Sequence, residues 1–249
     1  MSWDLWQWAL AVCGALAIGV AKTGIGGLGM LAVVIFANLM PAKESSGFAL
    51  PMLVMADVVA VLSYRRHAQW SLLWKLFPWT ALGVILGFFA MGRINNRQAG
   101  LMIGVIVLAL VVMHFVRRRR LEAGAPEHAA WFAPTIGILA GFTTLVANAA
   151  GPLMAIYLLA MRLPKMEYMG TGAWYFMLMN LFKVPFMMNL GLVDAQSFQG
   201  NLLLLPAVLA GTLAGRIVLK KIDQKLFETL ALGLALFAGI NLLYRSWGG

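Results

Sequence analysis

The chain has 249 residues, 62% of them hydrophobic and 11% charged, where a soluble domain carries roughly 25% charged residues. The apolar excess runs the whole length and leaves no room for a sizeable soluble domain. Nineteen Lys and Arg stand against nine Asp and Glu, but most of them sit in short loops between apolar runs, where orientation signals are placed. That reading excludes nucleic acid as a partner and makes the lipid bilayer the surroundings.

The N-terminus, Met1-Ser2-Trp3-Asp4, lacks the basic start of a cleavable signal, so the first apolar helix is expected to stay in the mature protein. Hydrophobic segments then follow at 5–22, 28–40, 46–64, 71–92 and 98–116, and again at 131–147, 150–161, 168–190, 198–219 and 226–244. In lipid these must be helices or a closed barrel. A barrel would alternate apolar and polar residues, whereas Leu101 to Met113 is apolar on every face. Trp3, Trp6, Trp8, Trp70, Trp131 and Trp247 lie near segment ends, as interfacial anchors do. Cys13 is the single cysteine, which excludes an intramolecular disulfide and a cysteine metal site. His67, His114 and His128 are scattered and resemble no metal site. With no hydrolase or metalloprotease motif either, no metal, no cofactor and no enzymatic activity are expected.

The two sets of five segments align. Gly19 and Gly29 match Gly141 and Gly151, 122 positions on; Pro41, Glu44 and Gly47 match Pro164, Glu167 and Gly170, 123 on; Pro78, Gly83 and Gly87 match Pro206, Gly211 and Gly215, 128 on. Shared order with drifting offsets is the pattern of a duplicated half with small loop insertions. The fold class expected is thus an all-α polytopic membrane protein of two repeats. Residues 1–120 form the first, 121–130 a cytoplasmic linker and 131–249 the second. Each repeat opens with two segments separated by a short breaker. The second member spans only about 18–20 Å at 1.5 Å per residue, so each pair is a re-entrant hairpin or one broken crossing. If each pair goes in and comes back, the loop charges divide twelve to four; if each is one crossing, they divide eight and eight. The positive-inside rule favours the hairpin. Three crossings per half then follow, the second half is inverted, and both termini are periplasmic in a bacterial inner membrane. Inverted repeats are a common transporter design, with the site near the midplane at discontinuous helices.

The first breaker is Lys22-Thr23-Gly24-Ile25-Gly26-Gly27-Leu28-Gly29. Its Gly24-x-Gly26-x-x-Gly29 spacing is no dinucleotide fingerprint, because apolar helices rather than a strand and a βαβ unit surround it. Glycines there permit a tight turn and close approach to backbone N–H groups, and the positive end of the next helix suits an anion. The competing reading is that they only pack helices closely. Lys22 ends an apolar run, where a cation is costly unless paired, hydrated or bound to substrate; its other reading is an interfacial anchor. The second breaker, Ala147-Asn148-Ala149-Ala150-Gly151-Pro152, offers the Asn148 amide at the turn, with Ala149 and Gly151 beside it. Within the long segments stand Asp57, its counterpart Asn180, Lys183 one turn from Asn180, and Thr171 after Gly170. Intramembrane Asp and Lys point to function by default; the structural alternative is that Asp57 and Lys183 pair with each other. Asp57, if it titrates, would couple transport to protons.

These residues resemble the TauE/SafE family of sulfite and organosulfonate exporters, also called TSUP or DUF81. The resemblance rests on Lys22-x-Gly24-x-Gly26-Gly27-x-Gly29, Asp57 followed by Tyr64-Arg65-Arg66-His67-Ala68, Asn148-Ala149-Ala150-Gly151-Pro152, Tyr157-Leu158-Leu159, Gly170-Thr171 and Asn180-x-x-Lys183. It implies transport of a small sulfur or carbon oxyanion. Ala150 and Met30 depart from the Gly and Pro expected there, and Thr144 stands where the second half would repeat Lys22. The expectation is a secondary anion transporter working by alternating access. A passive anion channel and a non-transporting subunit that anchors a partner protein are the alternatives. Gly83-x-x-x-Gly87 and Gly211-x-x-x-Gly215 suit packing within one chain or between two, so the sequence leaves a homo-oligomer open.

Overall fold

A computed structural model describes residues 3–24, 28–93 and 131–247, with isolated positions between 95 and 112. The regular elements among the described residues are all helical. They are α1 (Leu5–Thr23), α2 (Gly29–Leu39), α3 (Ala42–Tyr64), α4 (Trp70–Met91), α5 (Phe132–Ala147), α6 (Ala150–Ala160), α7 (Lys165–Asn189), α8 (Ala195–Lys221) and α9 (Gln224–Trp247). Each falls on a predicted segment. The segment predicted at 98–116 lies largely, and the linker at 121–130 wholly, outside the described residues. Four helices are long and apolar enough to cross a membrane, by length and composition: Leu5–Thr23, Lys43–His67, Trp70–Met91 and Ser197–Lys221.

The ends of these helices follow local chemistry. Gln7 reaches back to accept from the Asp4 N–H at 2.9 Å and starts α1. Pro41 and Pro164 are the N-caps of α3 and α7, with Glu44 and Glu167 in the first turns, where a carboxylate complements the helix dipole. This is why both helices begin three or four residues before the predicted apolar runs. At the other end, Lys43 Nζ donates to Met91 O, the last carbonyl region of α4, at 2.6 Å. Lys165 Nζ does the same for α8, donating to Leu219 O at 3.0 Å and Ile222 O at 2.5 Å. Met91 and Leu219 stand 128 positions apart, the offset that aligns this part of the two halves.

Two glycine-lined interfaces hold the halves together. Gly141 on α5 packs so closely on α4 that a Cβ there would meet Thr80 O and Val84 N. Its counterpart Gly19 on α1 would meet Val208 O and Thr212 N of α8. In the reverse direction Gly83 abuts Ile138 O, and Gly211 abuts Leu16 O. Every partner in one interface is the counterpart of a partner in the other, by the same offsets of 122 and 128. Both Gly-x-x-x-Gly pairs therefore pack within this chain. Small residues serve here because close backbone approach maximises dispersion contact where lipid offers no hydrophobic drive.

The third helices of the two halves, α3 and α7, cross antiparallel. Gly47 near the start of α3 lies against Leu192, just beyond α7, while Gly170 near the start of α7 lies against Tyr64, His67 and Ala68 at the end of α3. The Gln69 N–H donates to Thr171 Oγ1 at 2.9 Å at that second end.

Candidate functional site

Both breakers are real interruptions, and each is built differently. At the first, α1 ends at Thr23, whose hydroxyl donates to Thr212 O at 2.7 Å and lies 3.1 Å from Gly19 O. The Tyr64 hydroxyl donates to Thr23 O at 2.6 Å, satisfying a carbonyl orphaned by the helix end. Gly24 gives its N–H to Val20 O at 2.7 Å, and a Cβ on it would lie 2.9 Å from Gly215 O. Gly24 thus packs closely on α8, with its N–H engaged within α1. Gly29 opens α2. Gly26 and Gly27 lie outside the described residues.

At the second breaker, α5 ends with Asn148 in the left-handed region, φ 52° and ψ 29°, which Asn tolerates better than most non-glycine residues. The Ala149 N–H folds back to Thr143 O at 3.1 Å. The Asn148 side chain is held at both atoms. Lys183 Nζ donates to its Oδ1, and its Nδ2 donates to Ser46 O at 2.9 Å. Because an ammonium only donates, Lys183 fixes which way the amide points.

The buried charges do not form the Asp57–Lys183 pair that the sequence allowed. Lys183 is fully buried and turned to the second breaker, donating also to Thr144 O at 3.1 Å. Thr144 is the counterpart of Lys22, so an ammonium from α7 arrives where the second half lacks one of its own. Asp57, fully buried, pairs instead with Lys22: Nζ to Oδ1 is 2.8 Å. Its other oxygen accepts from Asn180 Nδ2 at 2.5 Å. Asp57 thereby touches its own repeat counterpart across the α3–α7 crossing. Lys22 Nζ also stands 4.1 Å from the centroid of the Phe176 ring, within cation–π range.

Between the breakers lies a cavity of about 90 Å³, on a measure by which one water needs about 10–15 Å³. Lys22, Gly29, Ser46, Asn148, Gly151 and Asn180 line it, with Phe36, Leu53, Met154 and Phe176 on its apolar sides. Lys22 is the charged residue of that lining. The space suits a small oxyanion: one cation from the first half, the Asn148 and Asn180 amides from the second, and the N-terminal turns of α2 and α6, whose dipoles favour negative charge. Of the residues expected from sequence, Thr23, Gly24, Ala149, Thr171 and Lys183 stand outside this lining. Thr171 is engaged by Gln69, and Lys183 acts behind Asn148. Ser46 and Phe176 were not expected, since a serine or phenylalanine in an apolar helix carries no local signal; Tyr64 stood in a motif of the resemblance but was given no role, and only the fold brings the three to the breakers.

The model of the sulfite exporter TauE/SafE family matches residues 10–242. The chain belongs to this family. Among its relatives is the probable inner membrane transporter protein TsaS of Comamonas testosteroni, 22% identical over 205 residues, covering 79% of this chain and 83% of that protein. No solved structure matches. As a TauE/SafE member with apolar membrane-spanning helices, the chain is a membrane transport protein.

Proposed function

We propose that this TauE/SafE chain is a secondary transporter of a small oxyanion across a bacterial inner membrane, the anion class being sulfite, a sulfonate or a related sulfur or carboxylate oxyanion. The observation that carries this is the cavity shared by the two breakers, where Lys22 from one half and Asn148 from the other face the same space. Lys22 supplies the counter-charge. Asn148, oriented by Lys183, and the turns at Gly29 and Gly151 supply donors. Thr23, Gly24 and Ala149 hold the turns in shape, Gly26 and Gly27 complete the first breaker, and Thr171 braces the start of α7.

Two inverted repeats rocking about the α3–α7 crossing would open this cavity to each side in turn. The residue-by-residue correspondence of the two glycine interfaces supports the repeat, and the antiparallel α3 and α7 support the inversion. The antiparallel crossing also supports hairpins over single broken crossings, because it brings the loop after α3 and the start of α7 to one end.

The test is anion-evoked current from purified protein in proteoliposomes on a solid-supported membrane, with sulfite, sulfate, thiosulfate, methanesulfonate, oxalate and lactate, backed by tracer flux for electroneutral movement. A saturable signal for at least one anion, lost in Lys22→Ala, is expected. Conduction that never saturates would favour a channel. Silence in both current and flux would leave only a partner-anchoring subunit.

A further inference from the structure

Lys22 has two anionic claimants. The cavity presents it to a transported anion, yet its ammonium is already 2.8 Å from Asp57. A Lys–Asp pair is neutral as a unit, so this lysine offers an incoming anion little net attraction while Asp57 stays ionised. Adding a second anion to the same ammonium inside a poorly solvated cavity would leave one negative charge uncompensated, which burial strongly disfavours. Among the described residues, the charged groups that face Asp57 are Lys22 from α1 and Lys183 from α7. Lys183 is committed to Thr144 and Asn148. The packed helices α2 and α5 carry no titratable side chain, and Arg216 of α8 faces Tyr64, two turns further along α3.

Resting on the anion-transport reading, we propose that Asp57 is a resident competitor for Lys22: the transported anion gains Lys22 only as Asp57 takes a proton, and one proton travels with each anion. The step is a simple exchange. A proton from the side to which the cavity is open bonds Asp57 Oδ1, the Lys22–Asp57 ion pair parts, and Lys22 turns its ammonium to the anion. Asp57 Oδ2 goes on accepting from Asn180 Nδ2, so the carboxyl group stays anchored on α7 in both states. On the far side the anion leaves, the proton follows, and Lys22 returns to Asp57. A monovalent anion would then move without net charge, and a divalent one would carry one negative charge per cycle.

The experiment counts protons. Purified protein in weakly buffered detergent with a pH-indicator dye is titrated with sulfate, thiosulfate, methanesulfonate, oxalate and sulfite, and binding is followed by calorimetry. The quantity read is the wild-type uptake less that of Asp57→Asn; the anion's own protonation is common to both and cancels. One proton per anion bound is the expected difference, with Asp57→Asn still binding. Equal uptake in the two proteins overturns the inference and leaves the transporter reading standing, whereas no binding of any of these anions by the wild type overturns both. Should Asp57→Asn fail to fold, the wild type alone decides. Its affinity for methanesulfonate should fall about tenfold per pH unit above the Asp57 titration, as one linked proton requires, and a pH-independent affinity would refute the exchange.

Discussion

Lys22 is 10% exposed and Asp57 not at all, so neither charge has bulk water to fall back on. Breaking such a pair from one side is far more damaging than removing it whole, by about 3–5 kcal/mol in well-studied cases. Lys22→Met should therefore lower thermal stability in detergent markedly, and Lys22→Met with Asp57→Asn should recover most of the loss. Anion binding should remain absent in both. If the double variant melts no higher than the single one, the pair is not what holds this region. Lys22, Asp57 and Lys183 stand out in the sequence because charges in apolar runs are rare. Their pairing does not. The i, i+3 spacing of Asn180 and Lys183 places both on one face of α7, but says nothing of which neighbour each meets. That depends on where the breakers stop α1 and α5, and Lys183 is drawn to the oxygens of Thr144 and Asn148 left at the end of α5.

Helix α1 lies along α8 as α5 lies along α4, and at both seams glycine stands where a side chain would strike a backbone carbonyl. Gly19→Ala and Gly141→Ala should therefore be equally harmful, each forcing its helix pair apart. Gly92→Ala, at a site with nothing within 4 Å of the added atom, should be harmless. Size-exclusion profiles of a fluorescent fusion give the comparison: loss of the monodisperse peak for the first two and a wild-type profile for the third. A tolerated Gly141→Ala beside a ruined Gly19→Ala would mean that the seams are not equivalent. The seams were legible as matched glycines 122 and 128 positions apart, but not as partners. A glycine announces that something comes close, and only the duplicated frame hints at what. Gly24 shows the limit: beside a lysine and in a glycine-rich turn it reads as an anion loop, while its neighbour is Gly215, far along the chain.

For the molecule as a whole, the positive-inside rule leads to the proposal that the loop after α3 is cytoplasmic and the loop after α4 periplasmic, and the antiparallel α3 and α7 fit the odd number of crossings per half that this proposal requires. Arg66 and Arg93 are exposed on these two loops. In a Cys13→Ser background, needed because Cys13 is itself exposed, Arg93→Cys should react with an impermeant maleimide in intact spheroplasts. Arg66→Cys should react only after lysis. Labelling of both from outside, or the reverse order, would break the topology. The helical elements and their order were readable from composition and breakers, since each is written locally; the duplicated frame read from the offsets stays a proposal, which the matched glycine contacts support. The cavity was not readable, because its walls come from six helices whose meeting is a property of the fold.

The contact between Asp57 and Asn180 places a residue against its own repeat counterpart. A symmetric dimer of a single half would have to put identical side chains there: two asparagines, which carry no charge, or two aspartates, which would share one proton between them. A lone carboxylate at this crossing is open only to a chain whose halves are fused and free to differ. On the proposal that the chain is a duplicated half, joining the halves makes a one-sided charge available at a place where two separate, identical subunits can have none or two.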